Sequence, residues 1–132
     1  TIPVSSLPMV LRRINELSDE FGLDVGNVFH AGDGNMHPLI LFDANKEGDL
    51  ELCEAMGAEI LKLCVEAGGC LTGEHGVGIE KRDLMHVQYA PADLDAQMAV
   101  KDVFDSKWLL NPAKVFPLDA SDSRRALQVA GE

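Results

Sequence analysis

Residues 25–42 read Val25-Gly26-Asn27-Val28-Phe29-His30-Ala31-Gly32-Asp33-Gly34-Asn35-Met36-His37-Pro38-Leu39-Ile40-Leu41-Phe42. Two β-prone runs, Val25 to His30 and Pro38 to Phe42, flank Gly32-Asp33-Gly34-Asn35, whose Asp-Gly centre is a strong turn signal. The stretch is expected to be a β-hairpin. With Asp33-Gly34 as a two-residue turn, the cross-strand pairs run Gly32 with Asn35, Ala31 with Met36 and His30 with His37. That register puts both imidazoles on one side of the ribbon, since opposed residues have Cβ atoms about 4.5 to 5.5 Å apart.

Outward from the hairpin the pattern turns helical. Before it, Val10, Ile14, Leu17 and Phe21 recur at steps of four, three and four among charged residues, so a helix runs from Pro8 and stops at Gly22. After it, Cys53, Met56, Ile60, Leu63 and Ala67 line one face of a helix from Gly48 to Ala67, ended by Gly68-Gly69. Cys70-Leu71-Thr72 reads as a third short strand. Pro91 opens a last helix that carries Leu94, Met98 and Phe104 inward before Asn111-Pro112 closes it. From Leu118 on the chain is a polar tail. Helices and a thin antiparallel sheet in this order predict an α+β unit, a partial ferredoxin-like arrangement with helices on one face. A sheet this small is marginal by itself, so its open face is expected to pack on more of a longer chain or on a second copy.

Composition narrows the chemistry. In 132 residues, 22 acidic side chains against 11 basic ones leave a net charge of −11, which repels a phosphate backbone or an anionic lipid surface. Nucleic acid is thereby a poor partner. The longest apolar runs, such as Leu39 to Phe42, fall far short of the roughly 18 to 20 residues that span a bilayer. The chain starts at Thr1 without a secretory signal, which leads us to expect upstream sequence that is absent here. Cys53, Cys64 and Cys70 form no C-x-x-C pair and read as free thiols in a reducing, cytoplasmic compartment, any membrane association being peripheral through partner subunits.

Three of the four histidines, His30, His37 and His75, lie in the two glycine-rich segments. A histidine pair across a turn is a candidate for one divalent ion, and Glu74 supplies the natural third ligand, because two imidazoles and a carboxylate leave positions open for substrate. Adjacent side chains of an extended segment point to opposite sides, which separates Glu74 from His75 and leaves His75 as a candidate general base. The competing reading is an exposed or hydrogen-bonded histidine pair, with Asp33 and Asn35 as turn formers. His86 falls on a helical stretch. The run Gly73 to Gly78 lacks both the dinucleotide-binding order of glycines and the Lys-Ser/Thr ending of a phosphate loop. Neither H-E-x-x-H nor H-x-x-E-H occurs, so the standard metalloprotease motifs are missing.

Three motifs in order, Phe29 to Pro38, Thr72 to Lys81 and Leu110-Asn111-Pro112-Ala113-Lys114-Val115-Phe116, resemble the C-terminal cap region of FAD-linked oxidases in the vanillyl-alcohol oxidase superfamily. Within that superfamily the sequence is similar to the glycolate oxidase and D-lactate dehydrogenase branch. The resemblance implies that residues 1–117 are the C-terminal portion of the cap domain, with the N-terminal FAD-binding domain absent from this chain. It implies a flavoenzyme that oxidises a small D-2-hydroxy acid to the 2-oxo acid. In such members the residues matching His30, His37 and Glu74 bind a divalent metal, usually zinc, the residue matching His75 takes the hydroxyl proton, and Asn111 is a candidate cofactor contact. Implied partners are the 2-hydroxy acid, the rest of the parent chain, and partner subunits or a second copy. A fragment alone is expected to be inactive. Two positions depart from the family: Ala113 stands where glycine is usual, and Leu39 where some relatives carry an asparagine for the substrate carboxylate. Outside the family, a stand-alone metal-binding scaffold and a metal-dependent hydrolase are the other readings of the same ligand set.

Overall fold

The computed structural model describes residues 1–117, and the expected polar tail of 118–132 lies outside the described residues. The chain divides into two compact units, Thr1–Glu74 and His75–Glu132.

In the first unit, a 3-10 turn at Val4–Ser6 leads into helix α1, Leu7–Phe21, with Pro8 in its first turn where the missing N–H costs nothing. Val10, Ile14 and Leu17 are its buried residues, as the periodicity predicts. Gly22 ends it in the left-handed region at φ 66°, its N–H bonded to Ser18 O. Strands β1, Val25–His30, and β2, Asn35–Ile40, form an antiparallel pair, the sheet of the described residues. Helix α2, Asp49–Glu66, then crosses back, with Gly57 close to the Ile40 side chain. Ile2, Val10, Ile14, Leu17, Leu23, Met56, Ile60 and Cys64 make the core, and Val25, Met36 and Ile40 pack onto it from one face of the hairpin. The α+β architecture is the one expected from the pattern.

The hairpin register differs from the two-residue-turn expectation. His30 pairs with Asn35 and Val28 with His37, so residues 31–34 form a four-residue turn, with Asp33 N–H bonded to His30 O at 3.0 Å. The cause is tertiary: Gly34 is buried, and its carbonyl accepts the N–H of Ile2 at 2.9 Å. The displacement is two residues, and because side chains alternate with period two, every side chain stays on its expected face. Cys70-Leu71-Thr72 is not a strand. Its main-chain pairing is confined to Cys70 and Thr1, Cys70 N–H donating to Thr1 O at 2.9 Å and Thr1 N to Cys70 O at 3.5 Å, and Leu71 sits at a bend. All three cysteines are free, Cys64 buried and Cys53 and Cys70 half-buried, and burial pushes the Cys64 thiol up.

In the second unit a 3-10 turn, Arg82–Leu84, precedes the short helix α3, Met85–Gln88, and helix α4, Pro91–Phe104. His86 is exposed on α3. Leu94 and Met98 are buried as expected, but Phe104 is 82% exposed. At about 100° per residue, the stripe through Leu94 and Met98 continues to Lys101 and Asp105, and Phe104 falls off it. Asp105 is buried and its carboxylate accepts the N–H of Leu109 at 2.9 Å, the N–H of Leu110 at 3.0 Å and Lys101 Nζ at 2.8 Å. Lys101 also sits 5.1 Å from the Trp108 ring centroid, and Trp108 packs edge-on against Phe116 at 5.8 Å. This cluster turns the chain after α4 through Trp108, Asn111, Ala113 and Val115, all at positive φ. Ala113, at φ 57°, thus occupies the left-handed conformation that glycine adopts most easily. Arg82 Nη1 bonds Ala113 O at 2.5 Å and Val115 N–H bonds Gly78 O at 2.8 Å, which ties these turns to the 76–82 loop. Among the described residues no helix is long and apolar enough to cross a membrane.

Two glycines at the same φ of 66° test the role of the turn. A Cβ at Gly22 meets nothing, whereas one at Gly34 would overlap Ile2 O. Gly22→Ala should cost only the left-handed strain, about 1 to 2 kcal/mol, and Gly34→Ala about 1 to 3 kcal/mol more for the collision. Urea unfolding of both variants measures the difference, and equal losses would show that the contact with Ile2 is not maintained.

Asp105 predicts a pH dependence. The Lys101 ammonium and then the Leu110 and Leu109 amides hold its carboxyl below the usual carboxylate range, against the effect of burial. A carboxyl whose folded pKa is depressed contributes stability above the unfolded value, about 3.9, and loses it as pH falls through the folded value. Acid titration followed by the fluorescence of Trp108, the single tryptophan, should show unfolding of this unit setting in below about pH 4. In Asp105→Asn that acid dependence should flatten, at lower stability near neutrality.

Candidate metal centre

The hairpin face turned away from the core carries Gly26, Val28 and His30 on β1 and Asn35, His37 and Leu39 on β2. His30 and His37 are diagonal neighbours on it, because His37 pairs with Val28. Their ring centroids are 5.5 Å apart and the planes meet at 84°. Diagonal cross-strand positions lie within reach of long side chains, so the four-residue turn still brings the imidazoles together.

Glu74 reaches the same place from the segment after α2. Gly68, at φ 84°, and the bond from Gly69 N–H to Cys64 O turn the chain out of the helix. Cys70 then pairs with Thr1, and the Thr1 hydroxyl lies 2.9 Å from Cys70 Sγ and 3.2 Å from Thr72 O. Gly73 passes directly against the Asn35 carboxamide, where any Cβ would collide with it. A side chain at Gly73 would require the Asn35 carboxamide to turn aside. Glu74 Oε1 lies 3.3 Å from His37 Nε2. One ligand atom each from His30, His37 and Glu74 all lie within 4.8 Å of one another. His30 and Glu74 are exposed and His37 is half-buried, so the cluster opens to solvent on one side.

These residues fit a divalent cation. Ligands at about 2.0 to 2.2 Å from zinc stand roughly 3 to 3.5 Å from one another, and His37 and Glu74 are at such a separation already. Two imidazole nitrogens and one carboxylate oxygen suit zinc, iron and manganese alike.

His75 is the first residue of the second unit and is exposed. With the residues up to Lys81 it lines a shallow depression of about 230 Å³. Asn111 is exposed at φ 46° on the turns after α4. The sequence pattern singles out the three converging side chains but not what holds them, namely Ile2, Thr1 and the Gly73–Asn35 contact. Gly73 is visible there as part of a glycine run, but its partner is not.

Residues 1–115 match the family described as FAD linked oxidases, C-terminal domain. The chain belongs to that family. It is 53% identical over 117 residues to the glycolate oxidase subunit GlcD of Escherichia coli K12, a match that covers 89% of this chain and 23% of that protein. It is 36% identical over 120 residues to GlcD of Bacillus subtilis 168, covering 91% and 26%. To the mitochondrial cytochrome-type D-lactate dehydrogenase of Kluyveromyces lactis it is 33% identical over 121 residues, covering 92% and 20%. The chain thus spans about a quarter of the length of these curated relatives.

Proposed function

We propose that this chain is the metal- and base-bearing portion of a FAD-dependent oxidoreductase that converts a small D-2-hydroxy acid, of the glycolate or D-lactate type, to the 2-oxo acid. The observation that carries the reading is the convergence of His30, His37 and Glu74 within 4.8 Å on the open face of the hairpin, in a member of the FAD-linked oxidase family. The relatives named as glycolate oxidase subunits and D-lactate dehydrogenases support the substrate class.

His30, His37 and Glu74 would hold the divalent cation, zinc in the first instance. When bound, the cation supplies Lewis-acid polarisation of the substrate hydroxyl and carboxylate, and the flavin, held mainly by a separate N-terminal domain, supplies the hydride acceptor. The work of this chain is then orientation and proton removal. Two imidazoles on the hairpin and a carboxylate on the strapped 70–74 segment would fix where the substrate oxygens sit. His75 takes the hydroxyl proton as the C=O bond forms and the α-hydrogen departs with its electron pair. Imidazole suits that task, since it exchanges a proton near neutral pH. Asn111 is this chain's candidate flavin contact. The rest of the parent polypeptide and partner subunits complete the enzyme, and this portion alone is inactive.

Two measurements test the reading. Elemental analysis after dialysis should find about one equivalent of zinc, iron or manganese in the wild-type protein and none in His30→Ala/His37→Ala. In the full-length, flavin-loaded parent protein, His75→Ala should slow anaerobic flavin reduction by about 10² to 10⁴, the range for loss of a general base. Undiminished reduction would remove His75 from the chemistry.

A further inference from the structure

The strap that brings Glu74 to the hairpin meets it at one side chain, Asn35. A Cβ on Gly73 would overlap Asn35 Oδ1 and stand 2.9 Å from its Cγ and 3.3 Å from its Nδ2, so the glycine lies against the whole carboxamide. A Cβ takes the place of one glycine hydrogen. That Cα–H is therefore directed toward Asn35 Oδ1, the arrangement of a weak Cα–H···O contact.

Asn35 is held where it can carry this contact. It opens β2, pairs with His30 across the ladder and stands two residues before His37, so its side chain shares a face with both imidazoles. Its neighbour Gly34 accepts the N–H of Ile2 at 2.9 Å, and the adjacent Thr1 pairs with Cys70. Thr1 Oγ1 and Cys70 Sγ carry that tie on to Thr72 O, at 3.2 and 2.9 Å. Gly73 against Asn35 then extends it to the residue next to Glu74. Three contacts, Ile2 with Gly34, Thr1 with Cys70 and Asn35 with Gly73, thus close a ring between hairpin and strap.

A glutamate side chain has several staggered rotamers, so its reach is decided first by where its main chain stands. Here that position lets Glu74 Oε1 lie 3.3 Å from His37 Nε2. The carboxamide suits the task, being planar and uncharged, so it adds no second carboxylate beside Glu74. We propose that Asn35 is a positioning residue of the metal centre: its carboxamide seats Gly73 against the hairpin and holds the Glu74 carboxylate in reach of the cation, without ligating the ion itself. The proposal rests on the metal-site reading of His30, His37 and Glu74 and deepens it. Partners outside a ligand set contribute about 10- to 100-fold to metal affinity, and this contribution passes through Glu74.

The test is a double-mutant cycle on zinc binding in the full-length, flavin-loaded parent protein, stripped of metal and titrated with zinc alone. Asn35→Ala and Asn35→Ser are each measured with Glu74 present and with Glu74→Gln. Competition with a chromogenic chelator reads the tight sites and calorimetry the weakened ones, and urea midpoints report folding. Asn35 faces away from the core that α1 and α2 close, so both variants should keep the hairpin packed. Expected is a loss of about 10- to 100-fold with Glu74 present and of no more than about twofold in Glu74→Gln. A general weakening of the fold, or an Asn35 that binds the ion directly, would lower both affinities alike. A difference between the two backgrounds below about tenfold in both variants would overturn the positioning role and leave the metal centre standing. A wild-type protein that takes up no zinc would overturn the metal-site reading and this proposal with it.

Discussion

One extended segment, Thr1–Pro3, makes two main-chain bonds on which the geometry of the first unit depends. Ile2 N–H binds Gly34 O and Cys70 N–H binds Thr1 O, both at 2.9 Å. The first bond fixes the hairpin turn, and with it the register of His37 against Val28. The second fixes the segment that delivers Glu74. A two-stranded ribbon is marginally stable by itself, so a candidate ligand set spread over both its strands and a third segment needs such a tie. The side chains of Ile2 and Leu23 add burial to the same core that α1 and α2 close, which couples the tie to the packing behind the sheet.

The two faces of the hairpin divide the labour. Val25, Met36 and Ile40 pack onto the helices, and that packing leaves His30, His37, Val28 and Leu39 on the face away from them. Alternation along a strand makes the division obligatory: whatever is not core on this ribbon is open. The first unit also carries most of the acidic residues of the chain, and Arg13, Lys46 and Lys62 pair with carboxylates on α1 and α2. A cation bound between Glu74 and the two imidazoles would therefore be the principal positive charge on the open face. In the second unit a buried carboxylate, Asp105, plays the corresponding organising part by collecting two amides and an ammonium around the turns that carry Asn111.

How far the sequence can be read differs from element to element. Helices α1 and α2 are legible because an apolar stripe at helical spacing has one way to be buried, and glycines mark where each ends. Phe104 is misread from sequence because a list of apolar residues in a helix is not a stripe: the true stripe runs through Lys101 and Asp105, whose polar atoms satisfy one another. The expected strand at Cys70 fails for a different reason. Leu71 sits at a bend, and of the three residues Cys70 is the one whose main chain bonds the main chain of Thr1.

By itself the sequence determined which side chains share a face: His30 with His37 on the hairpin, and Val10, Ile14 and Leu17 on α1. Those assignments depend only on the periods of strand and helix, and a register displacement of two leaves them intact. It also contained the three motifs that carry the family resemblance. Tertiary structure decided the turn length, the pairing of His37 with Val28, and the meeting of Glu74 with the histidines. Each of these depends on contacts between residues far apart in the chain, Ile2 with Gly34, Thr1 with Cys70 and Asn35 with Gly73. No local period encodes which distant carbonyl will meet a given N–H, so those distances exist only once the chain has folded.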